Sequence, residues 1–124
     1  MPKNPLISIV DDDESVRAAM KGLLSSLGYA TDTFASAEEF IASPQSRCTA
    51  CLILDINLPG MSGLELHRYL RASCVVIPTI LITSYPDDAV RSSVLSAGAI
   101  GYLPKPFHKA DLLDCIRSAL GESD

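Results

Sequence analysis

No apolar run in this 124-residue chain approaches the roughly 20 residues that a membrane-spanning helix needs. The N-terminus, MPKNPLISIV, has no long apolar core followed by a cleavage site, so no signal peptide is expected and the protein is assigned to the cytoplasm. A basic excess is missing too. Ten Lys and Arg stand against fifteen Asp and Glu, a net charge of −5, which argues against direct contact with nucleic acid, whose phosphates favour a basic face. Cysteine is scarce: Cys48, Cys51, Cys74 and Cys115. Cys48 and Cys51 make a C-x-x-C, but no second pair accompanies it, and neither His67 nor His108 lies at ligand spacing from it. Cys51 opens an apolar strand, where a thiol is a small hydrophobe. Internal repeats, low-complexity segments and linkers are absent. The length suits one domain over residues 1–124, large enough to fold without disulfides or a structural metal.

Strand and helix patterns alternate five times. LISIV (6–10) reads as a buried strand, followed by a helix with Val16, Met20, Leu23, Leu24 and Leu27 inward and Gly28 as its stop. A second, more polar strand over 29–34 suits a sheet edge. Ser36 and Glu39 are spaced as a capping box for a short helix carrying Phe40 and Ile41. The polar loop SPQSR leads to ACLILDI, an almost wholly apolar strand of the kind covered on both faces. The turn NLPGMSG, the helix LELHRYLRAS with Leu66 and Leu70 inward, the strand PTILIT and the helix DDAVRSSVLSAG follow. The strand AIGYL and the helix ADLLDCIRSAL complete the pattern. Five such units with short loops predict an α/β fold, a parallel five-stranded sheet with helices on both faces and the flavodoxin-like order 2-1-3-4-5.

In that architecture ligands bind beyond the carboxyl ends of the strands, where the strand order reverses. The first strand ends in Asp11 and Asp12, the third in Asp55, the fourth in Thr83 and Ser84, and the fifth is followed by Lys105. Carboxylates crowded at one spot repel one another, and a divalent cation among them would relieve this. Mg2+ prefers hard oxygen ligands and retained water. Asp12 and Asp55 suit direct ligation, and Asp11 direct or water-mediated ligation. Without metal, the repulsion is expected to raise one carboxyl pKa. Asp13 and Glu14 have a structural role instead, Asp13 as helix cap and Glu14 near the positive helix end. His67 and His108 read as surface residues.

The segments IVDDDESVR, LILDINLPGMSG, ILITS and GYLPKPF, in this order, resemble the receiver domain of two-component response regulators over nearly the whole chain. DDDESVR and PGMSG most resemble the FixJ branch of the LuxR-type regulators. The resemblance implies that Asp55 accepts a phosphoryl group from a phosphohistidine on a histidine kinase or phosphotransfer protein. It also implies that Asp11, Asp12, Asp55 and the main-chain carbonyl of Asn57 hold Mg2+, that Thr83 and Lys105 contact the phosphoryl group, and that Tyr102 is the switch aromatic. The Lys105–Pro106 bond is expected to be cis, as only a bond before proline readily allows. Such a domain catalyses only its own phosphorylation and dephosphorylation. Its output surface would be the face of the fourth helix, fifth strand and fifth helix, with Arg91, Val94, Leu95 and Ile100 exposed there and phosphorylation-dependent homodimerisation common in the family. Tyr85 is placed to crowd a water attacking the acyl phosphate.

Two other readings of the strand-end acids are weaker. Haloacid-dehalogenase-like phosphatases need a second acid two residues after the nucleophile, and Asn57 stands there. A flavodoxin needs a phosphate-cradling loop after the first strand, where this chain has acids that would repel phosphate. The alternative within the family is a degenerate, phosphate-independent interaction module. The ending ALGESD suggests no output domain in this chain, either because the receiver stands alone or because it is cut from a longer regulator.

Overall fold

The computed structural model describes residues 5–44 and 46–121. The readings that touch residues 1–4, Gln45 of the polar loop and the final residues 122–124 lie outside the described residues. The elements alternate as expected: β1 (Leu6–Val10), α1 (Glu14–Ser26), β2 (Ala30–Phe34), α2 (Ala37–Ala42), β3 (Cys51–Asp55), α3 (Gly63–Ala72), β4 (Thr79–Thr83), α4 (Asp88–Ser96), β5 (Gly101–Pro104) and α5 (Lys109–Ala119), with a short 3-10 turn at Ser46–Cys48. All strand pairs are parallel, in the order β2-β1-β3-β4-β5. Every residue of β3 and β4 is buried, whereas the edge strand β2 is only partly so.

Strand side chains alternate between the two faces of a sheet. Ile7, Ile9, Ile53, Ile80 and Ile82 pack with Met20 and Leu24 of α1 and Leu112 and Ile116 of α5. Val10, Leu52, Leu54 and Leu81 pack on the other side with Phe40, Leu66, Leu70 and Val94. Each fully buried Leu or Ile contributes about 1.5–3 kcal/mol. These two layers clamp the central strands, so the residues just past the strand ends start from fixed positions. Among the described residues, no helix is long and apolar enough to cross a membrane.

Four local expectations need correction. Leu27 is 50% exposed; α1 stops at Ser26, Leu27 is its C-cap, and Gly28 turns the chain with a φ of 93°. The Ser36–Glu39 capping box is only half formed. The Ser36 hydroxyl accepts the Glu39 N–H at 3.1 Å, but the Glu39 carboxylate reaches past the cap to the Ala35 N–H. A complete box forms instead at Ser62–Glu65, at the start of α3. His67 is not on the surface: 7% exposed, it lies in the crevice that α3 forms with Ala89, Val90 and Ser93 of α4. Val94, expected to be exposed, faces inward from α4 at 4% exposure, because it packs in the same apolar layer as Leu66 and Leu81.

Candidate functional site

The end of β1 delivers Asp11 and Asp12, and β3 closes on Asp55. Asp11 and Asp55 are buried, Asp12 is exposed, and carboxylate oxygens from all three lie within 4.8 Å of one another. Lys105 comes in from the loop after β5, beside a cis Lys105–Pro106 bond. Its Nζ donates to Asp11 Oδ2 at 2.8 Å and to Asp55 Oδ2 at 3.0 Å. Burial alone would lower the lysine pKa, but hydrogen bonds and charge from Asp11 and Asp55 outweigh it and hold the ammonium above its usual 10.5. The acidic cluster thus carries its own cation. Three carboxylates and one ammonium leave a formal charge of −2, which matches a divalent ion with hard oxygen ligands.

Asp11 is tied at every polar group. Its N–H donates to Phe34 O at 3.1 Å. Its Oδ1 accepts the Asp13 N–H at 2.9 Å, and its carbonyl accepts from Arg17 Nη1 at 2.6 Å. Asp13 caps α1 as expected, taking the Ser15 hydroxyl and the N–H groups of Ser15 and Val16. The Ser15 hydroxyl leads these contacts in lowering the Asp13 carboxyl pKa. Asp55 Oδ1 accepts the Asn57 N–H at 2.8 Å. Behind it, Gly63 starts α3 so close to β3 that a Cβ there would overlap the Asp55 carbonyl oxygen and lie 2.8 Å from Ile56 Cα. That close approach fixes where the chain leaves β3.

Thr83 sits at the end of β4, buried. Its hydroxyl donates to Asn57 Oδ1 at 2.7 Å and accepts the Tyr85 N–H at 3.0 Å. Asp11, Asp12, Asp55, Asn57, Thr83 and Lys105 are therefore brought into one crevice. Tyr102 is not part of it: its hydroxyl accepts the N–H of Asp87, the N-cap of α4, at 3.0 Å. Tyr85 is 75% exposed. The C-x-x-C pair is split between an exposed Cys48 and a buried Cys51. Burial, helped by the nearby Cys115, pushes the Cys51 thiol up to about 12, as befits a core hydrophobe.

Three contacts escaped the sequence reading. Asn57 links Asp55 to Thr83 through two different groups, its main-chain N–H donating to Asp55 and its side-chain oxygen accepting from Thr83. Arg17 stands one helical turn after the Asp13 cap, a spacing that places it over the end of β1. Glu38 reaches the Met61 N–H across 23 residues at 3.0 Å, and nothing in the local pattern signals that.

A five-stranded parallel sheet wound with five helices, with acids beyond its strand ends, defines a flavodoxin-like domain of the kind found in CheY-like proteins. The response regulator receiver domain model matches residues 7–117, and the chain belongs to that family, the receiver domains of two-component systems. Among curated proteins it is 40% identical to the response regulator protein TmoT of Ectopseudomonas mendocina, over 93% of this chain and 52% of that protein. It is 32% identical to the transcriptional regulatory protein FixJ of Azorhizobium caulinodans, over 99% of this chain and 58% of that protein. The chain spans little more than half the length of these relatives. Solved structures agree. FixJ-N superposes with a TM-score of 0.84 at 31% identity, covering 99% of this chain and 98% of that one. A response regulator receiver protein from Burkholderia phymatum gives 0.81 at 40% identity, covering 97% and 98%.

Proposed function

We propose that this receiver domain takes a phosphoryl group on Asp55 from a phosphohistidine of a histidine kinase or phosphotransfer protein, with Mg2+ required. The observation that carries this reading is the Lys105 ammonium held between Asp11 and Asp55 inside a three-carboxylate cluster. Asp11, Asp12, Asp55 and the Asn57 main-chain carbonyl would hold the metal. When bound, it would neutralise charge on the phosphoryl oxygens. An Asp55 carboxylate oxygen attacks phosphorus, the P–N bond breaks, and its electron pair stays on the donor imidazole. Lys105 and the Thr83 hydroxyl offset the charge spread over the equatorial oxygens. In discharge a water oxygen attacks phosphorus, the bond from phosphorus to the Asp55 oxygen breaks, and inorganic phosphate leaves while the water's proton passes to solvent. No external substrate is turned over. A groove of about 550 Å³ between α1 and α5, apolar at Val16, Met20, Leu23 and Phe107, opens beside Lys105 and gives a donor protein room to approach.

The phosphoryl group brings roughly −1.5 to −2 charges and three acceptor oxygens. Thr83 then exchanges Asn57 Oδ1 for a phosphoryl oxygen, and Tyr102 leaves the α4 N-cap and turns inward. The face of α4, β5 and α5 changes shape and supports output or a homodimer. Intact mass after incubation with acetyl phosphate tests the chemistry. One phosphoryl adduct is expected on the wild type with Mg2+, and none with EDTA or on Asp55→Asn. An adduct persisting on Asp55→Asn would sink the assignment. No adduct from either acetyl phosphate or a phosphohistidine donor would favour a phosphate-independent interaction module.

A further inference from the structure

The loop between β3 and α3, residues 56–62, follows the phosphoacceptor position and carries Asn57. Its near end is tied to its own strand. The Asn57 N–H donates to Asp55 Oδ1 at 2.8 Å, and the N–H groups of Leu58 and Gly63 both donate to Ile56 O, at 3.1 and 3.0 Å. Its far end is closed by that Gly63 bond and by the Ser62–Glu65 capping box, and its crest at Gly60–Met61 is gripped from outside. Glu38, on α2, reaches over and accepts the Met61 N–H on Oε2 at 3.0 Å. The same carboxylate lies against Gly60, whose φ is +71° and where a Cβ would stand 2.8 Å from Glu38 Oε2. Gly60 therefore gives both the left-handed turn and the room for the carboxylate. The neighbouring glutamate does something different: Glu39 closes back on Ala35, beside its own helix cap. Of the two adjacent acids, only Glu38 reaches the loop beside the site.

We infer that Glu38 is a positioning residue for phosphorylation: by gripping the Gly60–Met61 peptide it fixes the loop that presents the Asn57 carbonyl to the magnesium ion. The inference rests on the proposed function, since it needs that carbonyl to be a ligand. The physical argument is one of preorganisation. A ligand carbonyl on a loop held at its ends and also at its crest loses little freedom when the metal binds. One held at its ends alone keeps a looser crest that must be ordered at that moment, and the cost appears as weaker metal affinity. The hydrogen bond from Met61 is also the leading reason that the Glu38 carboxyl lies below its usual range, as expected for a carboxylate that accepts from that N–H.

The test compares wild type, Glu38→Ala and Glu38→Gln, using Mg2+ alone as the calorimetric probe and acetyl phosphate as donor. Glu38 is exposed, and all three proteins are expected to melt together. Glu38→Ala is expected to weaken Mg2+ binding about three- to tenfold, below the roughly 10- to 100-fold seen when direct supports of metal ligands are removed. Adduct formation is expected to slow by the same factor at limiting Mg2+ and to recover fully at saturating Mg2+. Glu38→Gln keeps a carbonyl acceptor for Met61 and is expected to stay within about twofold of wild type. Amide exchange at Met61 should rise in Glu38→Ala alone. Unchanged Mg2+ affinity in Glu38→Ala, or a rate loss that saturating Mg2+ does not repair, would overturn the inference while leaving the proposed function intact. A wild type that neither binds Mg2+ nor forms the adduct would remove the proposed function, and the inference with it.

Discussion

Between Asp11 and Lys105 the crevice is held by full charges; on its other side, from Thr83 in the crevice out to Tyr102 beyond it, the contacts are made by neutral hydroxyls. On the first side the contacts are 2.8 and 3.0 Å long, the carboxylates are buried, and Asp11 has every polar group engaged. On the second side Thr83 donates to the exposed Asn57, and Tyr102 accepts from the exposed end of α4. Charge-assisted hydrogen bonds are roughly twice as strong as neutral ones. Neutral ones contribute only about 0.5–1.5 kcal/mol net, within what a ligand can redistribute between two states. The charged side is therefore built to stay and the hydroxyl side to move. One crevice can then fix the reacting atoms while its far wall changes partner.

The largest break in this contrast should come from Lys105→Met. It leaves buried Asp11 and Asp55 facing each other and Asp12 without a cation. Removing one partner from a buried charge cluster costs about 3–5 kcal/mol, and the open rim at Asp12 lowers this to roughly 2–4 kcal/mol. Urea unfolding in EDTA should show that loss, and added Mg2+ should stabilise the variant more than it stabilises the wild type. A loss under about 1 kcal/mol, with no extra gain from metal, would mean that the ammonium does not hold the cluster together.

A smaller effect is expected on the other side. Tyr102→Phe removes only the hydroxyl that accepts the Asp87 N–H, and water can replace it at that exposed helix end. The expected cost is about 0.5–1 kcal/mol, with faster amide exchange confined to the first turn of α4. A cost equal to that of Lys105→Met would erase the distinction between the two sides.

The charged side was the more legible in sequence. Strand ends can be located from apolar runs, and residues just past them converge because the sheet is parallel; Asp11, Asp12, Asp55 and Lys105 all lie at or just beyond the strand ends expected for them. The pattern did not show that Lys105 would sit between two aspartates, because a side chain's partner depends on how its loop turns. Contacts between loops were less legible still. Glu38 meets Met61 only because α2 stands next to the β3–α3 loop, a matter of packing and not of pattern. Helix faces were read too simply at two points. Val94 lies about one turn from exposed Arg91 yet falls on the inward stripe. His67 follows Leu66 on α3, and its polarity suggested solvent although its position on the helix faces α4.

His67 gives the gentlest test, and it again separates the two walls. The ring lies buried under α4, with Arg71 of its own helix nearby; burial first and that positive charge second depress its pKa below the usual 6.5. The unfolded chain therefore takes up this proton at higher pH than the folded domain does. Stability from neutral His67 is complete above the unfolded value near 6.5 and is lost as pH falls through the lower folded value. The urea midpoint should drop across that window in the wild type and drop less in His67→Gln. One group cannot give a slope above about 1.4 kcal/mol per pH unit. Protonation acts where α3 meets α4, so the amides that lose protection first on acidification should be those of α4, while Asp55 and its neighbours on β3 hold. If β3 loosens together with α4, the two walls are coupled more tightly than their hydrogen bonds imply, and the hydroxyl side cannot move alone.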